Sequence, residues 1–129
     1  MIYALNILLV EDNPLNQKIV GFYLKKEKHR VFAVATGEEA IQVFKPGFFD
    51  VVLMDLMLPG IDGFETAMKI REIEDRHPEK QKTKIIALTA NTLDNDRERC
   101  LQHGMDEYMA KPFDLYKLNS ILQRDRKST

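Results

Sequence analysis

The sequence predicts an α/β domain of the form (βα)5, a doubly wound parallel sheet with helices on both faces. Three observations support this fold class. Five short apolar runs recur along the chain, a segment of helical periodicity follows each run, and the runs lack the strict alternation of strands that face water on one side. The runs span residues 5–10, 31–35, 51–54, 85–88 and 108–110. We expect each run to form a strand that is buried on both faces of the sheet.

Helix signals lie between the predicted strands. Pro14 suits a first helical turn, Thr36 suits an N-cap, and Gly104 suits the position after a helix. Residues 75–84 are polar and predict a solvated loop. The apolar side chains that we expect to face the core are, in chain order, Leu15, Ile19, Phe22, Tyr23, Ile41, Val43, Phe44, Phe64, Ala67, Met68, Ile70, Leu93, Cys100, Leu101, Leu115, Leu118, Ile121 and Leu122.

Length and charge bound the possible functions. We expect one domain over residues 1–129, with a core at about 5–124 and a tail at 125–129. The chain has 19 basic and 20 acidic side chains, so no basic excess is available for direct binding to nucleic acid or to a membrane surface. The lone Cys100 cannot form an internal disulfide, and the first apolar run meets Glu11 and Asp12 too soon for a signal peptide. These features predict a cytoplasmic protein.

Acidic side chains follow two of the predicted strands. Glu11 and Asp12 follow the first strand and Asp55 follows the third. In a flavodoxin-like sheet with strand order 2-1-3-4-5, ligands bind where the order reverses, between strands 1 and 3. The three carboxylates should therefore converge there, and their mutual repulsion calls for a proton or a cation, most simply Mg²⁺. Taken alone, Glu11 and Asp12 are equally well explained as charged loop residues.

Two further polar residues follow strands at the same edge, Thr89 after the fourth and Lys111 after the fifth. A hydroxyl and an ammonium beside a metal-binding acid cluster suit a dianionic phosphoryl group. A carboxylate can act as the nucleophile and form an acyl phosphate. Asp55 is the better candidate for that role because it stands alone at its strand end, whereas the Glu11–Asp12 pair suits a metal. The sequence therefore predicts phosphoryl transfer.

Four segments carry a family resemblance. They read LLVEDN at 8–13, LMDLMLPGIDG at 53–63, ALTA at 87–90 and AKPF at 110–113. In this order and at this spacing they resemble the receiver domain of response regulators in two-component signalling. The resemblance covers nearly the whole chain. It implies that Asp55 accepts a phosphoryl group from a phosphohistidine on a histidine kinase or a histidine phosphotransfer domain.

The resemblance also implies roles for the surrounding residues. Glu11, Asp12, Asp55 and the backbone carbonyl of Met57 would bind Mg²⁺. Lys111 and Thr89 would contact the phosphoryl oxygens, and Tyr108 would turn inward when Thr89 moves. A cis peptide between Lys111 and Pro112 would aim the lysine. On this view the domain is a signalling module. It catalyses its own phosphorylation from the partner's phosphohistidine and its own dephosphorylation, and it has no turnover substrate.

The segments EDNPLNQ at 11–17 and ALTAN at 87–91 look most like receivers of hybrid sensor histidine kinases, which typically exchange phosphate with a histidine phosphotransfer domain. Such a domain would be the cytoplasmic part of a membrane-anchored sensor, and a monomer or weak dimer. Stand-alone response regulators share much of this sequence pattern and are an alternative. A docking-only pseudo-receiver is a further alternative. An aspartyl phosphatase is a third, but Met57 stands where that chemistry usually has a second acid.

Other polar residues have simpler interpretations. Asp62 is expected to shape the turn at 60–63 rather than bind metal, and Cys100 to be a small core residue. Tyr108 has the alternative of an ordinary half-buried strand aromatic. His29, His77 and His103 share no spacing that suits a metal site or a catalytic triad, so we expect structural or solvated roles for them.

Overall fold

The computed structural model describes residues 4–89, 94–110 and 115–127. Strands and helices alternate throughout, as the sequence predicts. In chain order they are β1 (Asn6–Val10), α1 (Pro14–Lys26), β2 (Arg30–Val34), α2 (Gly37–Val43), β3 (Val51–Asp55), α3 (Gly63–Asp75), β4 (Lys84–Thr89), α4 (Asp94–Gln102), β5 (Glu107–Ala110) and α5 (Leu115–Lys127). Part of the predicted tail is therefore helical. No helix within the described ranges has the length and apolar character needed to cross a lipid bilayer.

The five strands form one parallel sheet in the order β2-β1-β3-β4-β5. This confirms the predicted flavodoxin-like fold. The order reverses between β1 and β3, because the chain leaves β1 towards β2 on one side and leaves β3 towards β4 on the other. Val10 and Met54 are register partners across that boundary. The residues that follow them, Glu11 and Asp55, therefore emerge at the same level of the same edge.

Apolar side chains pack on both faces of the sheet. One cluster joins the sheet to α2, α3 and α4 and includes Cys100, and the other joins it to α1 and α5. β3 is buried along its whole length, and β1 and β4 are buried at every position after the first. The prediction of burial on both faces is wrong for β5, where only Met109 is buried, and for β2, which lies at the opposite sheet edge with Phe32 exposed. Its apolar composition is explained instead by edge-to-face packing of Phe32 on Phe48 and Phe49.

The predicted inner face of α1 is wrong for Leu15, Ile19 and Phe22, whereas Tyr23 is partly buried against the core as predicted. Leu15, Ile19 and Phe22 are 64%, 51% and 72% exposed, while Val20 and Leu24 are buried. The buried side chains continue a line that begins at Gln17, three residues before Val20 and seven before Leu24, so all three share one helix face. The buried line begins with a polar residue, Gln17. Hydrophobic periodicity therefore selects the exposed apolar line as the face towards the core.

Three other predicted core residues, Val43, Met68 and Leu101, are also exposed. Two of them directly follow a buried helical residue, Met68 after Ala67 and Leu101 after Cys100. Successive residues on a helix point about 100° apart, so Met68 and Leu101 are turned away from the face that carries their buried neighbours. The predicted helical residue Leu93 lies outside the described residues.

Arg71 forms a partly buried polar cluster at the end of the sheet where β4 and β5 begin. Its guanidinium donates to Glu74 at 2.6 Å, to Asp106 at 2.7 Å, and to the carbonyls of Thr83 and Gly104 at 2.8 Å each. The second oxygen of Glu74 accepts the Thr83 N–H at 2.6 Å. One side chain of α3 therefore joins the start of β4 to the loop before β5. Most of the 75–84 connection is exposed as predicted, but Thr83 is buried.

His29 is a buried structural residue whose Nδ1 accepts the Leu5 N–H at 3.1 Å. Burial lowers the pKa of this imidazole, and the neighbouring Asn119, Glu27 and Asp50, which favour the protonated ring, do not reverse the shift. As the pH falls below about 6.5, the unfolded chain therefore binds the His29 proton before the folded chain does, and folding stability is lost.

We expect the free energy of unfolding to fall between pH 7 and pH 5 more steeply in the wild type than in His29→Asn. The asparagine can still accept the Leu5 N–H but has no proton to gain. Urea unfolding at a series of pH values measures the difference, which is limited to about 1.4 kcal/mol per pH unit for one proton. His77→Asn, on an exposed loop, is the control. Parallel pH profiles for the wild type and His29→Asn would refute this assignment.

Candidate functional site

The candidate site lies at the carboxyl edge of β1 and β3. One carboxylate oxygen from each of Glu11, Asp12 and Asp55 lies within 4.8 Å of the other two. Glu11 and Asp55 are buried, and Asp12 is exposed. The structure thus brings together the three acids that the strand ends predicted. Two buried acids with a third at the surface form an acidic cluster that reaches solvent at Asp12.

The Glu11 side of the site is ordered by the start of α1. Asn13 donates its backbone N–H to one Glu11 carboxylate oxygen at 3.2 Å. Its side-chain Oδ1 then caps α1 by accepting the N–H groups of Leu15 and Asn16 at 2.9 and 3.1 Å. Pro14 follows at the first helical position, where its missing N–H costs nothing. The two acids and the capping residue therefore form one compact turn that leads directly into α1.

Asp55 is oriented by the loop that follows it. The Met57 N–H donates to Asp55 Oδ1 at 3.0 Å, and the Leu56 N–H donates to the Leu88 carbonyl at 3.1 Å. Gly63, the first residue of α3, packs so tightly on β3 that a Cβ there would lie 2.5 Å from the Asp55 carbonyl oxygen. Only glycine permits this approach. As expected, Asp62 shapes the turn: it caps α3 by accepting the Glu65 N–H at 2.9 Å.

The other predicted site residues fall at neighbouring strand ends. Thr89 is buried at the end of β4, one residue beyond Leu88, the register partner of Asp55. Tyr108 in β5 is half-buried against the cluster under α4, beside a cavity of about 110 Å³ that Arg97, Cys100 and Leu101 also line.

Met57 is exposed in the loop after β3. Lys111 and Pro112, with the predicted cis peptide between them, lie outside the described residues. Their predicted roles stay predictions.

The chemistry of the acids fits Mg²⁺. Carboxylate oxygens are the ligands that this ion prefers, at about 2.1 Å, so two ligands on opposite sides of it lie about 4.2 Å apart. All three acid oxygens lie within 4.8 Å of one another, a limit about 0.6 Å above that value. Glu11, Asp12 and Asp55 could thus share one ion after a small adjustment, or hold it partly through water.

A family match identifies the class of protein in which this acidic cluster occurs. The response regulator receiver domain family matches residues 7–123, a span that includes all three acids. The chain belongs to this family. The predicted resemblance is therefore confirmed, together with the place of the receiver domain in two-component signalling.

Relatives of this receiver domain include hybrid sensor kinases. The chain is 37% identical over 121 residues to the aerobic respiration control sensor protein ArcB of Escherichia coli K12, covering 94% of this chain and 15% of ArcB. It is 32% identical over 123 residues to the hybrid signal transduction histidine kinase K of Dictyostelium discoideum, covering 93% of this chain and 10% of the kinase. The chain thus spans a small fraction of the curated relatives it matches.

Solved receiver domains share the fold over almost the whole chain. The receiver domain of sensor histidine kinase PA1611 from Pseudomonas aeruginosa PAO1 has 44% identity and a TM-score of 0.80, covers 95% and 97% of the two chains, and carries magnesium in its active site cleft. The receiver domain of the response regulator Ssk1 from Saccharomyces cerevisiae, co-crystallised with the phosphotransfer protein Ypd1, has 34% identity and a TM-score of 0.86, with 95% and 88% covered.

Two features of the site region escaped the sequence analysis. One is the side chain of Gln17, which reaches from α1 to the ends of β1 and β2. The other is the exposed apolar line of Leu15, Ile19 and Phe22, which begins just after the acidic turn. Both follow from the rotation of α1. The spacing of Gln17 with Val20 and Leu24 was the available clue.

Proposed function

We propose that this receiver domain accepts a phosphoryl group on Asp55 from a phosphohistidine of a histidine kinase or histidine phosphotransfer domain, in a Mg²⁺-dependent reaction. The observation that carries the proposal is the buried Asp55 carboxylate, held by the Met57 N–H within 4.8 Å of the acids from β1. An Asp55 oxygen attacks phosphorus, the P–N bond breaks, and the imidazole nitrogen leaves with its electron pair. Attack of water on the acyl phosphate later returns Asp55 and inorganic phosphate.

The neighbouring residues take the roles that the resemblance implies. Glu11, Asp12 and the Met57 carbonyl hold Mg²⁺ together with Asp55. When bound, the ion offsets negative charge on the phosphoryl oxygens. Lys111 and Thr89 contact those oxygens, and Tyr108 follows Thr89 to change the surface formed by α4 and β5. Phosphorylation thereby shifts the equilibrium between two packings of that side of the domain.

The relatives favour a hybrid-kinase setting. ArcB is a sensor protein, and the PA1611 receiver belongs to a sensor histidine kinase. We propose that residues 1–129 are one receiver domain, monomeric or weakly dimeric, that works in the cytoplasm as part of such a sensor. It contacts other proteins rather than nucleic acid or membrane. A stand-alone regulator with the same chemistry is the second candidate.

Incubation with a small acyl phosphate tests the proposed function. Acetyl phosphate and Mg²⁺ should add one phosphoryl group to the intact chain, as measured by mass spectrometry. The adduct should be absent with excess EDTA and should return when Mg²⁺ is restored. A chain that stays unmodified with Mg²⁺ present would support a docking-only pseudo-receiver. Catalytic turnover of a phosphate ester would revive the phosphatase alternative.

The exposed apolar face of α1 is the proposed docking surface for the phosphohistidine partner. Leu15, Ile19 and Phe22 lie on one helix face at a spacing of four and three residues, and Leu15 is three residues from Asp12. A partner helix that covers this line would place its histidine beside the acidic cluster. The Ssk1 receiver, a relative of the same fold, is co-crystallised with a phosphotransfer protein.

We expect Ile19→Ser with Phe22→Ser to slow phosphoryl transfer from a histidine phosphotransfer domain by about tenfold or more, as loss of central apolar contacts does at an interface. The donor is one that phosphorylates the wild-type chain. Labelling by acetyl phosphate should be unchanged, because a small donor needs no docking surface. Met68→Ser, on the exposed side of α3, is the matched control. Equal slowing with both donors would contradict the docking role.

A further inference from the structure

Gln17 reaches from α1 back to the ends of two parallel strands. Its Nε2 donates to the Glu11 carbonyl at 3.1 Å and to the Val34 carbonyl at 3.2 Å. Val34 is the last residue of β2, and Glu11 is the first residue after β1. The Val34 carbonyl also accepts the Glu11 N–H at 3.1 Å. The Gln17 carboxamide therefore joins the two chain segments just beyond the last paired residues of β1 and β2.

The Glu11 carbonyl is part of the peptide unit that joins Glu11 to Asp12. Because a peptide unit is planar, holding its carbonyl also holds the backbone N–H and the Cα of Asp12. The Gln17 backbone N–H also donates to the Asn13 carbonyl at 2.9 Å, which is the ordinary helical hydrogen bond that any residue other than proline would make at this position. The contact that depends on the glutamine side chain is therefore the one on the Glu11 side of Asp12.

The hydrogen bonds of the Gln17 side chain oppose the electrostatic repulsion among the three carboxylates. Three carboxylates whose oxygens lie within 4.8 Å of one another repel, and Asp12 is exposed, so its turn has room to open outwards. Opening would increase the separation of the oxygens beyond what a single Mg²⁺ can bridge. Each of the two hydrogen bonds from the Gln17 side chain contributes about 1 kcal/mol against that movement.

We propose that Gln17 is a positioning residue for the Mg²⁺ site and keeps the Glu11 and Asp12 carboxylates in register with Asp55 before the ion arrives. The inference rests on the proposed function, because it concerns the affinity of the same site. It assigns no ligand role to Gln17, whose Nε2 is directed to backbone carbonyls. Its effect is to preorganise the ligands.

Mg²⁺ titration of Gln17→Met tests the role. Methionine keeps the length of the side chain but cannot donate. We expect the Mg²⁺ dissociation constant, measured by calorimetry, to rise by about tenfold, the low end of the effect of losing an outer partner of a metal ligand. Gln42→Met, an exposed glutamine near the end of α2, should bind Mg²⁺ as the wild type does. An unchanged dissociation constant in Gln17→Met would overturn the proposal.

Phosphorylation kinetics separate positioning from a general structural defect. The rate of labelling of Gln17→Met by acetyl phosphate should fall at low Mg²⁺ and return to the wild-type rate at saturating Mg²⁺. A rate that stays low at saturation would refute the positioning role. A wild-type chain that neither binds Mg²⁺ nor becomes labelled would instead refute the proposed function, and so the two failures are distinguishable.

A measurement on the wild type covers the case in which Gln17→Met does not fold. In a ¹⁵N–¹H spectrum, the side-chain amide resonances of Gln17 should shift on addition of Mg²⁺ with the same midpoint as the backbone amide of Asp12. The side-chain amide of Gln42 is the internal control and should stay in place. Gln17 resonances that do not respond would overturn the proposal.

Discussion

Asp55→Asn is expected to abolish phosphorylation and to leave folding intact. The amide has the size of the carboxylate, and its oxygen can still accept the Met57 N–H, but it is a far weaker nucleophile. The substitution also removes one of three crowded negative charges, so the melting temperature without Mg²⁺ should be equal to or higher than that of the wild type. Loss of activity without loss of stability separates a reacting group from a structural one.

Intact mass after incubation with acetyl phosphate and Mg²⁺ measures the first effect, and thermal unfolding measures the second. Asp75→Asn, at the exposed end of α3, is the matched control and should be labelled like the wild type. An adduct on Asp55→Asn at the wild-type level would mean that another residue is the acceptor. A clear drop in melting temperature would show that Asp55 stabilises the fold.

Arg71→Met is expected to cost about 3–5 kcal/mol of folding stability, which is the usual effect of removing one partner of a buried ion pair. Arg71 is 19% exposed and Glu74 only 3%, so the substitution leaves a carboxylate that is shielded from water and has lost its cation. The Thr83 and Gly104 carbonyls lose a donor as well. Such a loss is a large part of the 5–15 kcal/mol typical of a domain.

Urea unfolding of three variants identifies the cause. Glu74→Gln added to Arg71→Met should recover part of the loss, because the amide carries no charge to bury. Asp106→Asn should cost about 1 kcal/mol or less, since Asp106 is 46% exposed and its ion pair with Arg71 is weakened by water. An Arg71→Met variant that loses less than about 1 kcal/mol would show that the cluster is not a stabilising element.

The site acids were predictable because they depend on one rule of sheet geometry. Parallel strands end at a common edge, and an acid directly after an apolar run must lie at that edge. Glu11 follows β1 and Asp55 is the last residue of β3, and the (βα)5 topology places these two strands side by side. No side-chain packing needs to be known for this step. The same reasoning placed Thr89 at the end of β4.

The rotation of α1 was not predictable in the same way. Apolar periodicity alone offers two lines on that helix, and the line of Leu15, Ile19 and Phe22 is the more hydrophobic. Polar contacts accompany the observed rotation: Gln17 and Asn13 bind the residues at the strand ends, while Val20 and Leu24 are buried against the sheet.

Long-range polar contacts also escape a sequence pattern. Arg71 and Asp106 are 35 residues apart, and His29 and Leu5 are 24 residues apart. Each pair meets only after the sheet has formed. The exposure of β2 has a similar origin, since position at the sheet edge depends on strand order rather than on composition.

The most direct measurement of the central claim is the position of the phosphoryl group on the chain. After incubation with acetyl phosphate and Mg²⁺, the wild-type protein is digested at low pH and the peptides are sequenced by tandem mass spectrometry. We predict that the phosphoryl group lies on Asp55, with none on Glu11 or Asp12. A phosphoryl group on any other residue, or its presence at Asp55 without Mg²⁺, would contradict this account.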